Sequence, residues 1–142
     1  MKSIRIVLMM LTLSLFAGAD SQKLWSGSVG PMFTVNLALG DGSATLTLSE
    51  TAKSGNNSMA VGNYLLTKHS LEIDVKEIRF GGKGAEKKGA GFVIETPRKG
   101  KDGVPTLKVT PGAKLRFTAV ESGDRLELKN SGGVELVMYL KK

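Results

Sequence analysis

The chain has 142 residues, with 20 Lys and Arg against 13 Asp and Glu for a formal net charge of +7, one histidine and no cysteine. Without cysteine there can be no disulfide, thiol catalysis, Fe–S cluster or thiolate zinc site, and one histidine rules out a multi-histidine metal centre within a subunit. No motif asks for a cofactor, and the length suits a single domain stabilised by core packing alone.

The first element in chain order stands outside the fold. In "MKSIRIVLMMLTLSLFAGAD", Lys2 and Arg5 precede an apolar run from Ile6 to Phe16, and Ala17, Gly18 and Ala19 supply small residues ahead of Asp20. That is the three-part layout of a secretory signal peptide, and the run falls short of the about 20 apolar residues a membrane span needs. We therefore expect a signal peptide at 1–19, a single β domain at 20–142, and a periplasmic or secreted protein that does not span the membrane. No cysteine follows the apolar run, so lipid attachment at a processed cysteine is excluded.

From there on, alternation with period 2 recurs between turn residues, and nothing reads as a helix. "MFTVNLAL" sets Phe33, Val35, Leu37 and Leu39 on one face, and "DG" at 41–42 is a preferred two-residue hairpin turn. Pairing Gly40 with Ser43 brings Leu37 to Leu46, Val35 to Leu48 and Asn36 to Thr47, so turn chemistry and hydrophobic register agree. "SGNNS" at 54–58 reads as a loop, and "NNS" also matches a short glycosylation acceptor. "MAVGNYLLT" and "LEIDV" read as strands joined at Lys68-His69-Ser70. Leu71, Ile73 and Val75 share a face, but Ile78 and Phe80 have the opposite parity, which predicts a β-bulge near Lys76 or Glu77.

Residues 81–91, "GGKGAEKKGAG", depart from both phosphate-binding patterns. Ala90 and Gly91 stand where a P-loop needs Lys and Ser or Thr, and Lys87 stands where the dinucleotide pattern needs its third glycine. The stretch reads as a hairpin connector between strands, with an anion site formed by converging backbone N–H groups as the weaker alternative. "GFVIET" is the next strand, followed by the polar connector "PRKGKDG".

In the last third, a three-residue connection over Pro111, Gly112 and Ala113 pairs Val109 with Leu115 and Leu107 with Phe117. A turn on Ser122-Gly123 pairs Phe117 with Leu128 and Ala119 with Leu126. A three-residue turn in "NSGGV" pairs Leu128 with Leu136 and Leu126 with Met138. A four-stranded meander over 105–141 results. The final strand, "VELVMYLKK", carries Val137 and Tyr139 opposite Val134, Leu136 and Met138, so it is apolar on both faces. That marks a strand covered by a neighbour or a surface for a protein partner. The expected fold is all-β: one antiparallel barrel or sandwich of about nine or ten short strands without helix.

Charge is unevenly spread. Residues 76–116 hold eleven Lys and Arg against four Asp and Glu, 20–75 hold three against five, and 117–142 four against four. The candidate anion-binding set is Lys83, Lys87, Lys88, Arg98, Lys99, Lys101, Lys108, Arg116 and Lys129. The registers above place Lys108 opposite Arg116 and Arg116 opposite Lys129, a row of like charge that either side chains splaying into water or an anionic partner would relieve. Catalytic signals are weak. His69 falls at a turn, no G-x-S-x-G elbow is present, and the carboxylates Asp41, Glu50, Glu72, Asp74, Glu86, Glu95 and Asp102 lie mostly in turns or outward positions. The phenylalanines share parity with core aliphatics, so no base-stacking sheet for nucleic acid is expected.

"LWSGSV" near the mature start and "GDRLELKNSGGVELVMYLKK" at the end resemble the first strand and closing hairpins of small exported bacterial barrels of the lipocalin-like and META type. They also resemble the β-domain that precedes some periplasmic serine hydrolases. "GNY" at 62–64 departs from the META pattern, which has Gly-Cys-Asn. The resemblance implies fold and compartment, and it carries over no site residue. The reading that follows is a non-catalytic exported protein that binds an anionic or amphiphilic envelope partner, lipid or polysaccharide, through its basic middle. A calycin-like carrier of a small apolar ligand, with Phe33, Leu37, Phe117 and Met138 lining the cavity, is the alternative. An interaction or inhibitor module is the third.

Overall fold

A computed structural model describes residues 22–53, 55–82, 91–96 and 104–141. The expected signal peptide, the lysine-bearing part of the glycine loop and the "PRKGKDG" connector lie outside the described residues.

Ten strands follow in order: β1 (Lys23–Val29), β2 (Phe33–Gly40), β3 (Ser43–Glu50), β4 (Asn57–Leu66), β5 (Ser70–Gly81), β6 (Phe92–Glu95), β7 (Thr106–Val109), β8 (Lys114–Ser122), β9 (Arg125–Lys129) and β10 (Glu135–Leu140). Eight of them close into an antiparallel barrel in the order β1-β10-β9-β8-β5-β4-β3-β2, and β6 and β7 form a separate two-stranded ribbon. Closure removes the unpaired edges that an open sheet would expose.

The β2–β3 hairpin has the register its sequence predicts, with Gly40 opposite Ser43, Leu37 opposite Leu46 and Val35 opposite Leu48. Asp41 and Gly42 both have positive φ, 52° and 77°, as a type I′ turn requires. The bulge is also where parity placed it. Val61 pairs with Glu77 and Gly62 with Val75, so Lys76 is the extra residue. This insertion lets Leu71, Ile73 and Val75 on one side, and Ile78 and Phe80 on the other, all turn to the same core. Leu128 with Leu136 and Leu126 with Met138 pair across β9 and β10 as expected.

Two registers differ. β7 does not pair with β8. It pairs with β6, Val109 opposite Phe92 and Leu107 opposite Ile94, while β8 pairs with the first half of β5, Phe117 opposite Leu71 and Leu115 opposite Ile73. The Pro111-Gly112-Ala113 segment is a crossing and not a hairpin. Gly112 N–H donates to the Val75 carbonyl and Val75 N–H to the Ala113 carbonyl, both at 2.8 Å. The expected four-stranded meander is therefore three strands, β8 to β10, and no like-charge row from Lys108 to Lys129 forms. The other difference is a two-residue shift between β8 and β9: Ala119 faces Leu128 and Ser122 faces Arg125. Gly123, with φ 61°, takes the first central position of that turn, where a type II′ turn wants glycine. A slip of two residues keeps every side chain on its face, so hydrophobic patterning does not detect it.

The core is continuous. Trp25, Leu37, Leu46, Leu71, Ile73, Leu128, Leu136 and Met138 are nearly inaccessible, and the ribbon adds Phe92, Ile94, Leu107 and Val109 to the same cluster. A two-stranded ribbon cannot shield its own apolar face. The ribbon is therefore packed onto the barrel.

Candidate functional site

Of the nine candidate cations, Lys83, Lys87, Lys88, Arg98, Lys99 and Lys101 lie outside the described residues. The structure places the other three apart from one another in environment. Lys108 is outward on the ribbon, opposite Val93. Arg116 faces Glu72 across the β8–β5 pairing and donates to its carboxylate, Nε to Oε2 at 2.9 Å. Lys129 faces Thr118 on one side and Glu135 on the other, with its Nζ 3.5 Å from Glu135 and 3.9 Å from Glu127. Arg116 and Lys129 flank an open depression with Thr118, Asn130 and Ser131. Both cations already have carboxylate partners, so this depression is close to neutral.

Pairing of this kind runs through the charged half of the barrel. Lys76 meets Asp74 at 2.9 Å, Arg125 meets Glu127 at 2.8 Å, and Arg79 grips Glu77 through both Nε and Nη2 at 3.0 Å. Exposed pairs contribute little to stability, but they cancel local charge. The described residues carry eleven Lys and Arg against ten Asp and Glu, whereas 83–90 and 97–103 together carry six against two. The positive surplus thus belongs to the two segments that bracket β6, and not to the barrel wall.

The Arg79 guanidinium, through its hydrogen bonds and charge, holds the Glu77 carboxyl below its ordinary value of 4.5. A lowered folded-state value means that the pair's stabilisation is complete above the unfolded-state pKa and is lost as pH falls through the folded one. NMR titration of Glu77 is expected to give a midpoint below 4.5, and Arg79→Gln to return it toward 4.5. An unchanged midpoint in the variant would remove Arg79 as the cause.

No nucleophile, base and orienting group come together among the described residues, nor do three His, Asp or Glu gather to hold a metal. His69 is exposed at the β4–β5 turn, and its backbone carbonyl accepts from Ala119 N–H at 2.8 Å. Glu72 and Asp74 share an outward face two residues apart and line one depression, but Arg116 and Lys76 hold them.

The four residues named for an apolar cavity separate. Leu37 and Met138 are 0% exposed and Phe117 is 4%, within the packed core, while Phe33 is 39% exposed at the start of β2. Side chains with no accessible surface border no water-sized space, so Leu37 and Met138 face protein on all sides.

One surface feature is legible in the sequence only as the two-faced apolar last strand. A trough of about 550 Å³ runs along the seam between β1 and β10, lined by Ser26, Ser28, Thr34, Val137 and Tyr139. Tyr139 is 56% exposed and pairs with Ser26. The two-faced apolar character of the last strand signalled it, but Ser26 is brought beside Tyr139 only when the barrel closes. Compared with family models, curated proteins and solved structures, the chain matches none.

Proposed function

We propose that the protein is an exported, non-catalytic binding protein that engages a multivalent anion of the cell envelope, lipid headgroup or acidic polysaccharide, through the basic segments at either end of β6. The observation that supports this reading is the segregation of charge. The barrel wall is balanced and largely ion-paired, while six cations against two acids fall in 83–90 and 97–103. Both segments attach to one ribbon, whose inner face is anchored in the core by Ile94 and Val109. Cations near an anionic surface act additively, at about 1 kcal/mol each, and act over roughly one Debye length, about 10 Å at 0.1 M salt. The periplasmic or secreted location belongs to the same proposal and rests on the layout of residues 1–19.

The test is flotation with phosphatidylglycerol-containing vesicles and, separately, affinity electrophoresis in an acidic polysaccharide. Binding to one of these, weakened steeply between low and high salt, is expected. Changing Lys83, Lys87, Lys88, Arg98, Lys99 and Lys101 together to Gln is expected to weaken it by at least about tenfold. Changing Arg116 and Lys129 to Gln is expected to do much less, because both are neutralised in place. Equal binding to neutral vesicles, or full binding by the six-site variant, would sink the proposal.

A further inference from the structure

The exterior of the barrel has two unlike halves. Outward positions on β5, β8, β9 and β10 carry the ion pairs described above. On β1 to β4, every outward position within the strands is uncharged. Lys23 and Glu50, the charged residues of those four strands, sit at strand ends with the parity of the core-facing residues. The pairing registers align these outward side chains into rows across the strands. One row runs Ser26, Asn36, Thr47 and Met59. The next runs Ser28, Thr34, Ser49 and Asn57, in which Ser49 is buried, and beside the first lies the less polar row Leu24, Ala38, Thr45 and Val61.

From this arrangement we infer that the β1–β4 face, with the Tyr139 trough at its edge, is a binding surface for a neutral polysaccharide. Three features point to that partner. A face without ions loses no charge solvation when an uncharged polymer covers it, and it offers nothing to attract a polyanion. Hydroxyl and amide side chains both donate and accept, as sugar hydroxyls do, and here they recur about 4.8 Å apart across strands and about 6.8 Å apart along them. Thr34 hydrogen-bonds Thr51 at 3.2 Å, but the side chains of Ser26, Ser28, Asn36, Thr45 and Thr47 have no partner among the described residues.

The trough supplies what a flat polar face lacks. Tyr139 stands exposed between Ser26 of β1 and Arg125 of β9, an amphipathic ring at the edge of a hydroxyl row, suited to one sugar ring's apolar face and hydroxyl edge together. The trough is an open groove and not an enclosed pocket, and Lys141 lies among its lining residues as the charged one. The residues of this surface are not those of the basic segments, and its partner is neutral where theirs is anionic.

The experiment is affinity electrophoresis of the 20–142 chain through gels containing dextran, a neutral β-glucan or hydroxyethylcellulose, at low and at high salt. Retardation in at least one of the three is expected, unchanged by salt. Tyr139→Ala and Thr47→Lys are each expected to weaken it by about tenfold or more, with unchanged thermal midpoints, since both positions are on the surface. Because the basic surface fails only in high salt, the two sites fail separately. Migration equal to that in a plain gel for all three polymers would overturn the inference. So would retardation that both variants retain. A stable dimer by sedimentation, dissociated by Thr47→Lys, would overturn it too and assign the face to a second copy of the chain.

Discussion

Replacing Trp25 with alanine is expected to lower the free energy of unfolding by about 3–5 kcal/mol, the usual cost of truncating a buried aromatic. Trp25 is 2% exposed, lies on β1 and pairs with Leu37 of β2 on one side and Leu140 of β10 on the other. It therefore sits where the barrel closes. That closure is thin. The β1–β10 register is carried by Trp25 with Leu140 and Ser26 with Tyr139, supplemented by Lys141 N–H donating to the Leu24 carbonyl at 2.8 Å. Few backbone bonds hold this seam, so the indole's apolar contacts carry much of it. A loss of this size is a large share of the about 5–15 kcal/mol typical of a domain. Urea unfolding followed by circular dichroism measures it, since the variant has no tryptophan left to report. Hydrogen exchange should quicken first at the amides of 24–26 and 139–141. A loss under about 1 kcal/mol, or exchange that quickens evenly around the barrel, would contradict this account of closure.

The second large effect concerns the bulge. Gly62 lies opposite the point where β5 carries its extra residue, and a Cβ there would overlap the Asp74 carbonyl oxygen and crowd the Lys76 amide nitrogen. Both obstacles are backbone, so neither can swing aside. Gly62→Ala is expected to cost about 1–3 kcal/mol or more, as overpacking does. The cause can be isolated by removing Lys76. Deleting it leaves Leu71, Ile73, Val75, Ile78 and Phe80 in strict alternation, all still facing the core. In that background Gly62 would meet an ordinary ladder, and Gly62→Ala should cost far less than in the parent chain. The quantity to measure is the coupling between the two changes in urea midpoints. Additive effects would show that the bulge is not what demands glycine.

The local elements were legible because their signals repeat at the scale of the chain itself. Asp41-Gly42 sets both a turn type and a register, and the parity break between Val75 and Ile78 encodes the bulge in the chain itself. The alternation in "MFTVNLAL" and in "VELVMYLKK" shows which side chains turn inward. The candidate site was legible only in part. Clustering of Lys and Arg between 76 and 116 is a property of composition, but whether a cation is neutralised depends on what lies across from it. Arg116 was expected opposite Lys108 and Lys129, and the fold sets it against Glu72, 44 residues away.

Such partners depend on strand order, which alternation does not encode. A short apolar strand such as "TLKV" satisfies its inner face equally well against Phe92 and Ile94 or against Leu115 and Phe117. The choice is made by the whole barrel, in which the first half of β5 needs a neighbour and β8 is long enough to be one. The β8–β9 slip has a similar origin, since a two-residue shift exchanges no buried face for an exposed one and is settled by the φ > 0 demand at Gly123. The uncharged outer face belongs to this class as well. Its serines, threonines and asparagines are scattered over 26–63 in the chain, and they become one surface only because four strands lie side by side in register and β10 returns to meet β1. Pattern along the chain determines which way a side chain points, and closure of the sheet determines what it stands beside.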